Sequence, residues 1–432
     1  MKVLMFGWEF PPHITGGLGT ACFGLTKGLA RHEVEILFVV PKAYGDESEE
    51  AVRLLNASEV TIDLDKEETR DYWERVQYME IGSNIIPYVG PEQFELITEE
   101  QRKVTETFRS PVFSQNYEFS GKYGANLMEE VSRYALVGSA LATKHDFDLI
   151  HAHDWLTYPA GVAAKETTGK PLVVHMHATE FDRTGENVNT EVYAIERRGM
   201  EAADMVITVS NLTKRIVVER YGIDPKKVIT VHNAVEPVDK SGLELPEKQV
   251  KEKVVTFLGR ITFQKGPEYF VEAAHKILQR DKNVRFVMAG TGDLLNKMVQ
   301  RVAQLRIGHK FHFTGFLKGD DVDRLFAMTD VFVMPSISEP FGIVPLEAMR
   351  SNVPVVISKQ SGVAEVLRHA LKVDFWDVDG MADAIYGLCH YNALAETFIK
   401  EGKEEVDSLK WSNAAKHVKA VYEKVLKGLE TK

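Results

Sequence analysis

The chain has 432 residues, of which 44% are hydrophobic, 27% charged and 9% aromatic, and its net charge is −11. That length favours two or three domains over a single core, and the composition excludes disordered, collagen-like and coiled-coil classes. The acidity is one-sided, with 24 Lys and Arg against 37 Asp and Glu over residues 1–236 and 28 against 26 over the rest, which argues against nucleic acid or an anionic membrane as a partner.

In chain order, Val3–Phe6 reads as a strand, Leu18–Arg31 as a helix and Glu35–Val40 as a second strand. No signal-peptide pattern accompanies this start, and no apolar run approaches the roughly 20 residues that span a bilayer, so a cytoplasmic protein is expected. The two cysteines, Cys22 and Cys389, lack metal-ligand spacing and read as buried small hydrophobes. The acid-rich stretch Asp46 to Glu74 reads as a solvated face. A helix over Asn126–Lys144 then leads into the apolar runs Leu149–Ala152, Leu172–Met176, Met205–Val209 and Val228–Val231. Apolar continuity without strict alternation predicts strands covered on both faces, as in a parallel sheet.

Near Glu236 the pattern breaks, and residues 237–253 read as a linker. A second alternation follows: strand Val254–Leu258, helix Pro267–Arg280, strand Val284–Ala289, helix Leu294–Arg306, and strands Phe311–Thr314, Val331–Pro335 and Pro354–Ser358 around a helix Ile343–Arg350. The expected fold class is α/β, with two doubly wound parallel-sheet domains, 1–236 and 254–411, facing a cleft. An amphipathic segment over 412–432 is expected to pack back on the first domain.

The chemistry-bearing motifs fall after predicted strands. Thr15-Gly16-Gly17-Leu18-Gly19 opens the first helix, where glycines admit a close ligand and free N–H groups favour an anion. A tight structural turn explains those glycines about as well. His151-Ala152-His153-Asp154-Trp155 and His175-Met176-His177 end two strands. Alternate strand residues share a face, so the paired histidines invite a metal reading, but no third ligand cluster accompanies them and buried imidazoles are the commoner outcome. Arg260 and Lys265 flank the turn after the first strand of the second array, placed to neutralise a diphosphate. Ala289-Gly290-Thr291-Gly292-Asp293 is another strand-to-helix turn suited to nucleotide approach or to packing. Glu339-Pro340-Phe341-Gly342-Ile343-Val344-Pro345-Leu346-Glu347 is the most specific run, with two carboxylates able to accept hydroxyl hydrogen bonds at either side of a helix start. Gln360-Ser361-Gly362-Val363-Ala364-Glu365 repeats the small-residue helix-start pattern.

Together these residues resemble the retaining GT-B glycosyltransferases, the group holding glycogen and starch synthases, sucrose-phosphate synthase and the family 4 enzymes. The Glu339–Glu347 run looks like that group's E-x7-E motif. The resemblance implies two Rossmann-like domains and a nucleotide-sugar donor bound by Gly16, Gly17, Arg260, Lys265, Gly290, Gly292, Phe341, Gly342, Ile343 and Glu347. It also implies catalytic roles for His177, Glu339, Arg260, Lys265 and Asp154, an acceptor side around Glu9, His153, Asp154 and Trp155, and no metal or other cofactor. Glu9-Phe10-Pro11-Pro12, Arg133-Tyr134-Ala135-Leu136 and His151–Trp155 look most like bacterial-type glycogen and starch synthases, which implies glucosyl transfer to an α-glucan. Those enzymes carry Lys where this chain has Ile14, and usually lack the second glutamate, here Glu347, which is a family 4 trait. A small-sugar acceptor therefore stands as the alternative, ahead of a GT-B epimerase or a metal-dependent hydrolase.

Overall fold

The computed structural model describes residues 1–12, 17–47, 51–63, 114–117, 119–120, 126–235, 248 and 250–430. Two parallel sheets dominate them. The first holds β1 (Lys2–Phe6), β2 (Glu35–Val40), β3 (Arg53–Asn56), β4 (Leu149–His153), β5 (Leu172–Met176), β6 (Met205–Thr208) and β7 (Val228–Thr230), in the spatial order β3-β2-β1-β4-β5-β6-β7. The second holds β8 (Lys253–Leu258), β9 (Val284–Ala289), β10 (Phe311–Gly315), β11 (Val331–Met334), β12 (Val355–Ser358) and β13 (Leu371–Val373), in the order β10-β9-β8-β11-β12-β13. All their pairings are parallel. Each sheet therefore runs third-second-first-fourth-fifth-sixth, the Rossmann order, with a seventh strand added to the first sheet, and each reverses direction between its first and fourth strands. A crevice opens at such a switch point beyond the strands' carboxyl ends. In this chain it lies at β1/β4 in one sheet and at β8/β11 in the other.

Both faces of each sheet are covered, which is why the strands read as apolar runs. On the first sheet, even-numbered residues such as Ile150, Ala152, Leu172 and Val174 pack into one cluster, and odd-numbered ones such as Leu149 and Val173 into another. Helix α1 (Gly17–Ala30) follows β1, α2 (Leu127–Lys144) precedes β4, and α3 (Tyr158–Thr168), α4 (Glu180–Thr184), α5 (Thr190–Ala202) and α6 (Asn211–Tyr221) fill the remaining crossovers. The second sheet carries α7 (Pro267–Arg280), α8 (Leu295–Gln304), α9 (Asp320–Met328), α10 (Val344–Arg350), α11 (Val378–His390) and α12 (Asn392–Ser408). The last helix, α13 (Trp411–Glu430), buries Trp411, Ala415, Val418 and Tyr422 in the odd-residue cluster of the first sheet, beside Met5, Cys22 and Leu25.

The strands and helices named from sequence occur within about two or three residues of their expected ends, with α13 starting at Trp411. What the pattern omitted has physical causes. β3 and β13 are short edge strands with half-exposed residues, so they show no apolar run, and α4 is a single turn, too short to show a helical period. Most of the expected linker lies outside the described residues, and its last residue, Lys253, opens β8. Residues 48–50 and 64–74 of the acid-rich stretch, and Thr15 and Gly16, also lie outside them. Among the described residues no helix is long and apolar enough to cross a membrane.

Candidate active site

On the C-terminal side the site grows from the ends of β8 and β11. After β8 the chain turns through Gly259 and exposed Arg260, and Ile261 is held by backbone hydrogen bonds to Thr291 O (2.8 Å) and from Leu294 N (3.0 Å). A Cβ at Gly290, whose φ is +138°, would sit 1.8 Å from Gly259 O, and one at Gly292 would sit 2.3 Å from Ile261 O. These two glycines thus have a packing reason: they let the turns after β8 and β9 clasp each other. Lys265 closes the short 3-10 turn Phe263–Lys265 that precedes α7.

Lys265 Nζ lies 2.5 Å from Glu339 Oε2, and Ser336 Oγ donates to the same oxygen at 3.2 Å. The Glu339 backbone is fixed from both sides, its N–H donating to Gln360 O (3.0 Å) and its carbonyl accepting from Gly362 N (2.9 Å). The second small-residue motif is therefore the clamp on the first glutamate. Glu339 is buried, and a buried carboxylate needs such a partner, because a lone buried charge is costly. Phe341 packs in the core with Leu346 and Val355. Gly342 takes φ +98°, and Ile343 leads into α10, touching the core of the first sheet. Glu347 sits half-buried in the first turn of α10.

The N-terminal side is built from β4 and β5. Their register sets His153 opposite His175, so His151, His153, His175 and His177 replace the apolar residues of one sheet face with a stack of imidazoles. Ring centroids are 4.2 Å apart for His151 and His153, and 4.4 Å for His175 and His177. His151 Nδ1 meets the Tyr422 hydroxyl of α13 at 2.6 Å, and His153 Nδ1 meets His177 Nε2 at 3.0 Å. The first three rings are fully buried, while His177 is half-buried. Burial holds all four neutral: His177 is lowered to about 3, and the others lie well below the usual imidazole value, with neighbouring histidines adding to the effect.

Asp154 follows β4 with φ +63°, and its Oδ1 accepts from the backbone N–H groups of His177 (3.0 Å) and Ala178 (3.3 Å). Burial raises its carboxyl to about 6, against the opposing pull of Arg183 and those two N–H groups. Asp154 thus braces the segment that begins with His177. Trp155 is buried in the core of the first sheet. Glu9 is buried too, its Oε1 accepting from Gly19 N of α1 at 3.3 Å. Gly17 is the first residue of α1, and Gly16 lies outside the described residues.

Sequence reasoning missed the support beneath His177. Thr179 and Asp182 form a capping box that starts α4. Arg183 donates to Ala178 O (2.9 Å) and Glu180 Oε2 (3.0 Å) and pairs with buried Glu196, which also accepts from the Tyr221 hydroxyl. Burial lifts Glu196 to about 7, with Arg183 and Tyr221 opposing. Thr179-x-x-Asp182 carried a local signal, whereas Arg183 and Glu196 carried none.

The two sides meet. Ser338 Oγ donates to Asp182 Oδ1 at 2.5 Å, and α4 packs on the Phe263–Lys265 turn. Glu365 crosses as well, its carboxylate accepting from Asn211 N (2.9 Å) and Leu212 N (2.8 Å) at the start of α6 and from His232 Nε2 (2.8 Å). Burial pushes Glu365 up, yet His232 and those N–H groups hold it below the usual carboxylate range.

Comparison with known proteins agrees with this fold. The model "Glycosyltransferase Family 4" matches residues 122–238, and "Glycosyl transferases group 1" matches residues 244–405. An uncharacterized glycosyltransferase of Methanocaldococcus jannaschii is 29% identical over 98% of both chains. An alpha-maltose-1-phosphate synthase of Mycolicibacterium smegmatis is 31% identical over 64% of this chain and 79% of its own length. The chain belongs to the GT-B glycosyltransferases. Within them it falls in the group of glycogen and starch synthases and family 4 enzymes. A glycogen synthase of Mycobacterium tuberculosis is 22% identical over 98% of this chain and 94% of its own. In fold, it is similar to sucrose-phosphate synthase from Thermosynechococcus elongatus, with a TM-score of 0.70 at 18% identity over 99% of each chain. For this GT-B enzyme the family 4 match spans the imidazole stack and its support, and the group 1 match spans Arg260, Lys265, Glu339 and Glu347.

Proposed function

We propose that the chain is a retaining glucosyltransferase of the cytoplasm that moves glucose from a nucleotide-glucose, UDP- or ADP-linked, to the non-reducing end of an α-1,4-glucan. The observation that carries this is the junction of the two sides. The Ser338–Asp182 hydrogen bond sets the loop holding the Lys265–Glu339 pair against the segment that begins with His177.

As the bond from the sugar C1 to the phosphate oxygen breaks, negative charge grows on the leaving diphosphate. Arg260, Lys265 and the Gly17 amide are the groups we assign to that charge, which fixed cations and a helix N-terminus stabilise. Glu339 accepts from the donor sugar's hydroxyls, and Glu347 from the nucleotide ribose. The turns at Gly290, Gly292, Phe341, Gly342 and Ile343 border the nucleotide. His177 Nε2 is engaged by His153, so Nδ1 remains for the sugar's 6-hydroxyl, and a neutral ring can do this without adding charge to the sugar side. The acceptor hydroxyl attacks C1 on the face the diphosphate leaves. The new C1–O bond forms as the old one breaks, and the hydroxyl proton passes to the departing phosphate oxygen. No enzymic nucleophile and no divalent ion takes part, so activity is expected to survive exhaustive chelation.

A second acceptor class is favoured by one observation: the 31%-identical relative is named for making alpha-maltose 1-phosphate, which points to a small phosphorylated sugar as acceptor. A screen of UDP-, ADP- and GDP-sugars against glycogen, maltooligosaccharides and glucose 1-phosphate, reading released nucleotide, separates the two. Elongation of the glucan supports the first, and turnover only with the small acceptor replaces it with the second. Release from no donor overturns both.

A further inference from the structure

We propose that Cys22, His153 and His177 form a site for a thiophilic divalent cation of the zinc class, and that its occupancy blocks donor binding by fixing the His177 ring and placing positive charge at the sugar end of the cleft. The second half rests on the role given to His177 under the proposed function. The Cys22 Sγ and one ring nitrogen from each histidine lie within 4.8 Å of one another. His153 Nδ1 and His177 Nε2 are already 3.0 Å apart, near the separation of two nitrogens bound to one zinc at about 2.0–2.1 Å. Three protein ligands of this kind leave a fourth position for an exogenous ligand, and half-buried His177 is the most exposed of the three.

The neighbouring triad of His151, His153 and His175 also clusters, but it is a poorer site. Its His151 Nδ1 is already taken by the Tyr422 hydroxyl at 2.6 Å. All three are buried, and no thiolate offsets the ion's charge. Cys22 supplies that charge. Its thiol is kept protonated by burial, with the Glu9 and Asp154 carboxylates adding to the effect. Binding breaks the Sγ–H bond, forms a sulfur–metal bond and releases one proton to solvent. The ion also displaces the His153–His177 hydrogen bond, whose ring proton moves to the other nitrogen of its own imidazole so that only the thiol proton leaves the protein, while the Glu9 and Asp154 carboxylates favour a nearby cation.

Cobalt titration of the chelator-stripped full chain tests the site without substrate, so its failure is distinct from failure of the transfer function. The expected result is one ion per chain, one proton released per ion by calorimetry in two buffers, and a near-ultraviolet thiolate-to-cobalt band. Cys22→Ser and Cys22→Ala, checked for folding by circular dichroism, are expected to lose the band, and Cys389→Ser, in the second core, to keep it. Zinc is expected to inhibit transfer competitively with donor, reversibly by EDTA, in the native chain and not in Cys22→Ser. A band that persists in both Cys22 variants, or binding with no band, overturns the site. Full occupancy without inhibition overturns the block.

Discussion

The two walls of the cleft share one strand order and differ in their electrostatics. After β8 and β11 the C-terminal wall presents Arg260 and a paired Lys265–Glu339. After β4 and β5 the N-terminal wall presents four imidazoles that burial keeps uncharged. Topology therefore decides where a site forms, and the residues at the strand ends decide its chemistry. A charged group can stay on such a wall when it is paired or exposed. A ring that neutralises can be buried with no counter-ion, because it sheds its charge instead of being desolvated with it.

The largest test of this contrast removes the charges. Arg260→Ala and Lys265→Ala are each expected to lower kcat by a hundredfold or more, which corresponds to about 3–4 kcal/mol for one preorganised stabiliser of a developing anion. Arg260 is exposed, and exposed charge pairs contribute little to stability, so its variant should shift the thermal midpoint only slightly. Lys265→Ala should also lower the midpoint, because it leaves buried Glu339 without its cation. Near-native turnover at saturating donor in either variant would remove the phosphate role.

Next in size is the difference between the two glutamates. Glu339→Gln is expected to lower kcat by tens of fold, and Glu347→Gln to raise the donor KM by several fold with kcat kept. A contact that tightens only in the transition state appears in kcat, and uniform binding appears in KM. Because Glu339 also holds Lys265, the Lys265→Ala and Glu339→Gln losses should add to less than their sum in the double variant. The reverse kinetic pattern would exchange the sugar and ribose ends of the donor site.

The walls also differ in how far they could be read in advance. Arg260, Lys265, Glu339 and Glu347 lie in two short runs, each beside its own strand, so local motif and position sufficed to place them at the C-terminal wall. The parallel, doubly wound class followed from apolar runs alternating with helices, whereas the strand order within each sheet was not read from them. His153 and His177 were visible as pairs, but their stacking depends on strand register. The approach of Cys22 depends on how α1 lies over β4 and β5, and neither leaves a mark in local sequence. Arg183 and Glu196 were hidden for the same reason, since their pairing joins α4 to α5.

The neutral wall predicts a pH signature in stability. Imidazoles with lowered native pKa values leave stability unchanged above about 6.5, where native and unfolded forms are both neutral. Below that the unfolded chain binds protons that the native stack refuses, so stability falls as pH drops toward about 3, the value for His177. Asp154 and Glu196, raised to about 6 and about 7, and buried Asp182, raised as well, act oppositely, since the native chain takes up their protons first as pH falls. Four rings against three buried carboxyls predict a net decline in thermal midpoint between pH 6.5 and 5. Histidine resonances should show His151, His153, His175 and His177 still neutral at pH 5. A flat or rising midpoint over that range would mean that the stack is hydrated or charged.

The smallest expected effect lies at the seam. Ser338→Ala removes the hydrogen bond between the walls but touches neither the Lys265–Glu339 pair nor His177. Asp182 keeps two donors on its other oxygen, Thr179 N at 2.8 Å and Thr179 Oγ1 at 2.7 Å, so its carboxylate is not stranded. Burial already raises its pKa, and Ser338 is among the groups opposing that rise, so the variant should raise it further. A hydrogen bond to a charged group contributes roughly 1.5–3 kcal/mol, and with two donors retained the loss should fall at the low end. Glu365 also joins the second sheet to α6 through Asn211 and Leu212, which limits how far the walls can part. The expected outcome is a donor KM raised about two- to fivefold, a kcat within about threefold of native, and a thermal midpoint a few degrees lower at neutral pH. Kinetics and calorimetry on Ser338→Ala and the double variant Ser338→Ala/Glu365→Gln would check this, with the double expected to raise KM more than either change alone. A kcat loss as large as that of Lys265→Ala would mean that the Ser338–Asp182 contact itself aligns the reacting groups, and that the two walls act as one unit.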